Sequence, residues 1–204
     1  MGLYEEHILP RCIDFMLSRR PFLLARERVA AGLQGEVLEI GFGSGLNLPY
    51  YPAAVTKIHA IDPSATGKKL ASKRIAACQI PVQWSGLDGQ ALPLADASVD
   101  AVLSTFTLCT IPNLQTALSE VRRVLRPGGT LHFLEHGRSP EPSIAKWQDR
   151  LTPFQRRVAG GCHLNRAIDQ DVRAAGFEVE ALENYYLPGP KFAAYLYEGR
   201  AVLT

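Results

Sequence analysis

From Leu3 to about Ala30, apolar and charged positions alternate at roughly helical spacing, interrupted at Pro10 and Pro21, and predict two or three short helices. Beyond them the period changes. Residues 36–40 (Glu-Val-Leu-Glu-Ile) form a short apolar run entering Gly41-Phe42-Gly43-Ser44-Gly45, the pattern of a buried strand that feeds a glycine turn. A second strand is expected at 57–61, ended by Asp62, and helix formers follow over 64–77. Third and fourth strands are expected at 81–84 and 99–105. Residues 114–125 place Leu114, Ala117, Leu118, Val121, Val124 and Leu125 on one helical stripe, which Pro127-Gly128-Gly129 stops before a fifth strand at 130–135. Strands alternating with helices predict βαβ units and a parallel sheet, hence an α/β fold. After Gly137 the pattern loosens. A helical insert is expected over 138–161, a helix over 166–175, and two last strands over 177–184 and 192–202. With no repeat or linker, residues 1–204 read as a single domain.

Composition agrees with that reading and removes several function classes. The 204 residues are 47% hydrophobic and 21% charged, the balance of an ordinary globular domain with its own core. With 22 basic and 20 acidic residues the net charge is +2, which gives no dense basic field for nucleic acid. Cys12, Cys78, Cys109 and Cys162 are too widely spaced for a metal knuckle or a compact disulfide framework. No metal site is therefore expected, and free thiols suit a reducing, cytoplasmic setting. The longest uncharged stretch, 101–119, contains Pro112, Asn113 and Gln115 and does not read as a membrane span. Glu5, Glu6 and Asp14 interrupt the place of a signal peptide's apolar region.

A strand running into Gly41-x-Gly43-x-Gly45 lets backbone approach a ligand closely, beyond the carboxyl ends of the strands. The dinucleotide fingerprint would need a glycine at Leu46, and no Lys-Ser or Lys-Thr follows, so nicotinamide and P-loop readings lose ground. Asp62 ends the second strand, where a carboxylate can accept from both hydroxyls of a ribose; the other reading is a solvated loop Asp. Glu39 would be partly desolvated beside the turn, either ordering loop amides or facing a ligand ammonium.

Four segments in order resemble the motifs of class I S-adenosylmethionine-dependent methyltransferases: 37–45, His59-Ala60-Ile61-Asp62-Pro63-Ser64, Leu87-Asp88-Gly89-Gln90-Ala91-Leu92-Pro93-Leu94, and 123–129. The resemblance covers about 36–135. It implies a Rossmann-like seven-stranded sheet of order 3-2-1-4-5-7-6, last strand antiparallel, with helices on both faces, and S-adenosyl-L-methionine as cofactor. Carried over by position, Glu39, Gly41, Phe42, Gly43 and Asn47 would lie near its methionine part. Asp62 and Pro63 would meet the ribose, Leu87, Asp88 and Gly89 the adenine, and Thr105 and Phe106 the sulfonium. Outside this core, Leu9-Pro10-Arg11-Cys12-Ile13-Asp14, 45–51, Phe133-Leu134-Glu135-His136 and Gly161-Cys162-His163-Leu164-Asn165-Arg166 resemble the methyltransferase-like thiol methyltransferase branch, with its uncharacterised bacterial relatives and some phospholipid N-methyltransferases. Mammalian members carry a hydrophobic N-terminal anchor; this chain starts at Met1-Gly2-Leu3-Tyr4, so membrane contact is not expected from it.

Methyl transfer is an in-line displacement that needs alignment, plus deprotonation of a thiol or phenol acceptor or neutrality of an amine. Residues 1–32 are expected to form a helical lid and 138–165 an acceptor-side insert. His163 is the candidate catalytic residue, with the open alternative that His163 and Asn165 cap the helix expected from Arg166. His136 and Glu135 end the fifth strand, and Cys109 follows the fourth; each also has an ordinary structural reading. Trp147 and Phe154 lie among Arg150, Arg156 and Arg157, in an acceptor pocket, at a membrane, or on a solvated face. The expected partner is a small-molecule methyl acceptor, a thiol being the narrowest choice. A lipid headgroup amine, a quinone-like ring and a non-catalytic cofactor-binding module are the alternatives.

Overall fold

The computed structural model describes residues 2–203. Seven strands, β1 (Gly35–Ile40), β2 (Val55–Ile61), β3 (Val82–Gly86), β4 (Val99–Thr105), β5 (Leu125–His136), β6 (Phe177–Tyr186) and β7 (Tyr195–Leu203), form one sheet in the order β3-β2-β1-β4-β5-β7-β6. The first five run parallel, and β7 is antiparallel to both β5 and β6. This is the order implied by the resemblance.

Alternation along the central strands explains the layers. Val37, Ala101, Leu103 and Leu134 pack on one face with α2 (Arg20–Ala30) and Ala71 of α3 (Ala65–Ala77). Leu38, Val102, Leu131 and Phe133 point the other way, onto α4 (Leu114–Val124) and α6 (Ile168–Ala174). Strand order reverses between β1 and β4, so the loops leaving these two strands diverge and open a crevice.

Four expectations change in detail. Pro10 and Pro21 do not break helices: Pro21 lies in the first turn of α2, where the missing N–H has no intrahelical partner to lose, and Pro10 follows directly on a π-helical stretch, Tyr4–Ile8, that runs on into α1 (Leu9–Leu17). β5 begins at Leu125. Val99 pairs with Leu125 but Ala101 with Thr130, so Pro127-Gly128-Gly129 is a bulge, where a proline costs no ladder bond. Residues 192–194 belong to the short helix α7 (Lys191–Ala194), closed by Ala193 N–H to the Pro190 carbonyl, and the last strand starts at Tyr195. The insert helix α5 spans Pro142–Val158, but α6 starts only at Ile168, so neither His163 nor Asn165 caps it; Asn165 Nδ2 donates to Asp149 Oδ1 at 2.9 Å.

Candidate active site

The crevice is a cavity of about 660 Å³ running from the Gly41 turn and Asp62, past Asp88 and Gly89, to Cys109, His136 and Cys162. Leu9, Pro10, Ile13, Met16 and Leu17 of α1 line its N-terminal side. Asp14 ties α1 to the glycine turn: its Oδ1 accepts from Ser44 Oγ at 2.6 Å and from Arg74 Nη1 at 2.9 Å, and Arg74 also donates to the Ser44 carbonyl at 2.9 Å.

Gly41 lies at φ +75°, and a Cβ there would stand 1.8 Å from Thr107 Oγ1, so the turn packs directly on the loop after β4. Asp62 fixes the turn from the other side, Oδ2 accepting from Gly43 N–H at 2.8 Å and Oδ1 from Ser64 N–H at 2.7 Å. Burial pushes its carboxyl up from the ordinary range. Asp62, Pro63, Leu87, Asp88 and Gly89 all line the cavity. The Asp88 carboxylate accepts from Gln90 N–H at 2.8 Å and stays exposed.

Glu39 and Asn47 stand behind that wall. Glu39 is 1% exposed and accepts from Asn47 Nδ2 at 2.7 Å and Tyr51 Oη at 2.6 Å; burial raises its carboxyl to about 7. Its two partners are side chains rather than loop amides. Asn47 Oδ1 in turn accepts from Arg26 Nη1 at 2.8 Å, which also donates to Thr105 Oγ1 at 2.6 Å. Arg26 is buried on the cavity wall, and burial lowers its guanidinium to about 10. Helical spacing gives no sign of this residue, because a lone arginine on a lid helix reads as solvated.

Phe106 takes a left-handed backbone, φ +57°, directly after β4. A non-glycine residue is held there at a cost of about 1–3 kcal/mol, offset by surrounding contacts. Its ring packs on Phe22, His136 and the Arg26 guanidinium, with centroid distances of 5.7, 5.1 and 5.3 Å, and lines the cavity.

At the far end, Glu135 is fully buried and organises the loop after β4. It accepts from Ser104 Oγ and from the N–H groups of Thr107, Leu108 and Cys109, at 2.8 to 3.1 Å. Burial raises its carboxyl despite these four donors. The insert's end joins this loop through His163 N–H to the Cys109 carbonyl, 2.8 Å. His163 Nδ1 lies 3.1 Å from the same oxygen, and burial lowers its pKa. The His163 ring is thus turned to the loop backbone, while its neighbours Gly161 and Cys162 line the cavity. Cys162 Sγ sits 3.7 Å from Cys109 Sγ and 3.9 Å from His136 Nδ1. The shared hydrogen bond pulls the Cys162 thiol down and pushes Cys109 up. No spacing rule finds this trio, which comes from three separate loops. Trp147 and Phe154 stay exposed and away from the cavity, Arg150 lying over the Trp147 ring.

Comparison with known proteins agrees with this geometry. Residues 38–133 match the family described as methyltransferase domain. The chain is 34% identical over 175 residues to thiol S-methyltransferase TMT1B of Rattus norvegicus, spanning 82% of this chain and 71% of that protein. It belongs to the class I S-adenosylmethionine-dependent methyltransferases. Phosphatidylethanolamine N-methyltransferase of Cereibacter sphaeroides is 28% identical over 157 residues, 71% of this chain and 72% of that protein. Among solved structures, a geranyl diphosphate methyltransferase in complex with its cofactor shares the fold at a TM-score of 0.72 and 14% identity, over 91% of this chain and 86% of that one.

The methyltransferase uses S-adenosylmethionine, and the cavity residues fit it. Arg26 Nε is buried with no partner in the protein, a donor for a carboxylate. A Cβ at Gly43 would meet nothing closer than the Gly41 carbonyl oxygen at 3.8 Å, so this side of the backbone leaves room for a ligand. Among the described residues, no helix is long and apolar enough to cross a membrane.

Proposed function

We propose that this methyltransferase methylates a small thiol, with the acceptor entering the end of the cavity lined by Cys109, His136 and Cys162. The observation that carries the reading is the one-third identity to thiol S-methyltransferases over four-fifths of the chain. Asp62 would hold the ribose hydroxyls, Asp88 the adenine amino group, and Arg26 and the Gly41 turn the methionine part. The cofactor supplies a methyl group already activated on a sulfonium, so the protein has mainly to align and to exclude water. The lid of residues 1–32 closes over the core of residues 36–135, and Phe106 sets the acceptor's approach. The insert of residues 138–165 contributes the Gly160–Cys162 wall. His163 is a positioning residue that acts through the Cys109 carbonyl. A thiol of ordinary pKa, about 8.5, is mostly protonated at neutral pH, so the far end must favour its thiolate. Free, adjacent Cys109 and Cys162 suit a reducing cytoplasmic setting.

A second reading, N-methylation of a headgroup amine, draws on the phosphatidylethanolamine N-methyltransferase relative and on the Phe22 and Phe106 rings, which would favour a cation. The test is S-adenosylhomocysteine release by purified protein with thiols, sulfide, amines, phenols and quinols in parallel. Release with thiols alone is expected. Release with amines or rings and none with thiols would overturn the reading.

A further inference from the structure

Cys109, His136 and Cys162 come from three loops at the carboxyl edge of the sheet, and their ligating atoms all lie within 4.8 Å of one another. A tetrahedral ion with bonds of about 2.3 Å to sulfur and about 2.0 Å to nitrogen holds two sulfurs about 3.8 Å apart, and sulfur and nitrogen about 3.5 Å apart. The Cys109–Cys162 separation of 3.7 Å already has that value, and the Cys162–His136 separation of 3.9 Å exceeds it by a few tenths of an ångström.

This spacing is built in by the backbone. Glu135 holds the Cys109 N–H, and the Cys162 loop is tied down by His163 N–H to the Cys109 carbonyl. Gly161, at φ +89°, lets the two loops touch: a Cβ there would stand 2.8 Å from the Thr110 carbonyl oxygen. Both cysteines are reduced and buried, beside Leu164, and all three side chains line the cavity. We propose that Cys109, Cys162 and His136 bind a divalent cation of the zinc class, with the fourth coordination position open to the acceptor end of the cavity. Two thiolates and an imidazole select zinc or cobalt over magnesium or calcium, and two thiolates neutralise the ion's charge in a buried site. Three protein ligands and one open position is the arrangement of a catalytic rather than a structural zinc.

What fills the open position rests on the thiol reading above; ion binding does not. An acceptor thiol that takes this position gives its proton to solvent and is held as a thiolate at neutral pH. A sulfur lone pair of the thiolate forms the new S–C bond while the methyl–sulfonium bond breaks, its electron pair passing to the leaving sulfur. The thioether produced is neutral, a weaker ligand, and leaves.

The test uses the full chain carrying Cys12→Ser and Cys78→Ser, reduced, chelator-treated and dialysed against Co²⁺. One ion per chain is expected, with sulfur-to-cobalt charge-transfer absorption, the strong visible bands of a tetrahedral site, and displacement by Zn²⁺. Since loss of a partner that merely supports a ligand weakens metal binding by 10- to 100-fold, Cys109→Ser and Cys162→Ser should each weaken it by at least about 100-fold. Retained S-adenosylhomocysteine binding would show these variants folded, and His136→Gln is a third variant should a serine disturb the loops. Adding a small thiol should raise the charge-transfer intensity by about half, as two sulfur ligands become three. Absence of stoichiometric ion in the parent protein, or uptake unchanged in a folded Cys162→Ser variant, overturns the site. Ion uptake with no spectral response to thiol retains the site and overturns the thiol in its open position.

Discussion

The two ends of one cavity are built in different ways. The cofactor end comes from a continuous stretch, in which β1 runs into the Gly41 turn, β2 ends at Asp62, and the segment after β3 brings Asp88 and Gly89 to the same edge. The far end is assembled from α1, the loop after β4, His136 at the end of β5 and the Gly160–Cys162 turn after α5. Local chain geometry thus positions the first, while the second depends on long-range hydrogen bonds centred on a buried carboxylate. The two ends should differ in how they fail.

The largest effect is expected at Glu135. Glu135→Ala leaves three backbone N–H groups and Ser104 Oγ without an acceptor, at a cost of about 4–5 kcal/mol in stability by denaturant unfolding. Amides of residues 107–110 should lose exchange protection before those of β1. Next comes the cofactor end: Gly41→Ala combines a left-handed backbone with a clash on Thr107, costing about 3–4 kcal/mol and most of the affinity for S-adenosylhomocysteine, read by calorimetry.

The buried cluster behind the wall should respond to pH. Glu39 is raised in the folded state from 4.5 to about 7, so the folded chain binds the extra proton between these values. The stability tied to it is fully present below about 4.5 and is lost as pH rises through about 7, a change of about 3 kcal/mol that Glu39→Gln should flatten in denaturation measured across this window. Asp62→Ala should weaken cofactor binding by about 2 kcal/mol; unchanged affinity would remove the ribose role. The smallest effect is at His163, where His163→Ala should lower kcat about fivefold, the worth of one hydrogen bond, with cofactor affinity unchanged.

These differences also explain what could be read from the sequence. The strand order came with the resemblance, whereas the Gly41 turn and the places of Asp62 and of the segment from Leu87 to Gly89 at the strand ends were legible as a local pattern of strand, turn and spaced acid. The bulge at Pro127–Gly129 was not, since a proline followed by two glycines marks a stop equally well before a strand or within one. Arg26 was missed because burial of a guanidinium depends on Asn47 and Thr105, which are distant in the chain. The positive φ of Phe106 and the meeting of Cys109 with Cys162 have no local signature; both follow from loops pulled together by Glu135 and the His163 amide. The bonds of Glu39 to Asn47 and Tyr51 likewise have no local signature, since they join the end of β1 to the segment after the glycine turn.

The most direct test of the account is a competition with methyl-labelled S-adenosylmethionine, an equimolar small thiol and primary amine, and the intact chain, followed by identification of the labelled product. The account predicts label in the thioether. Label in the methylated amine alone would contradict it.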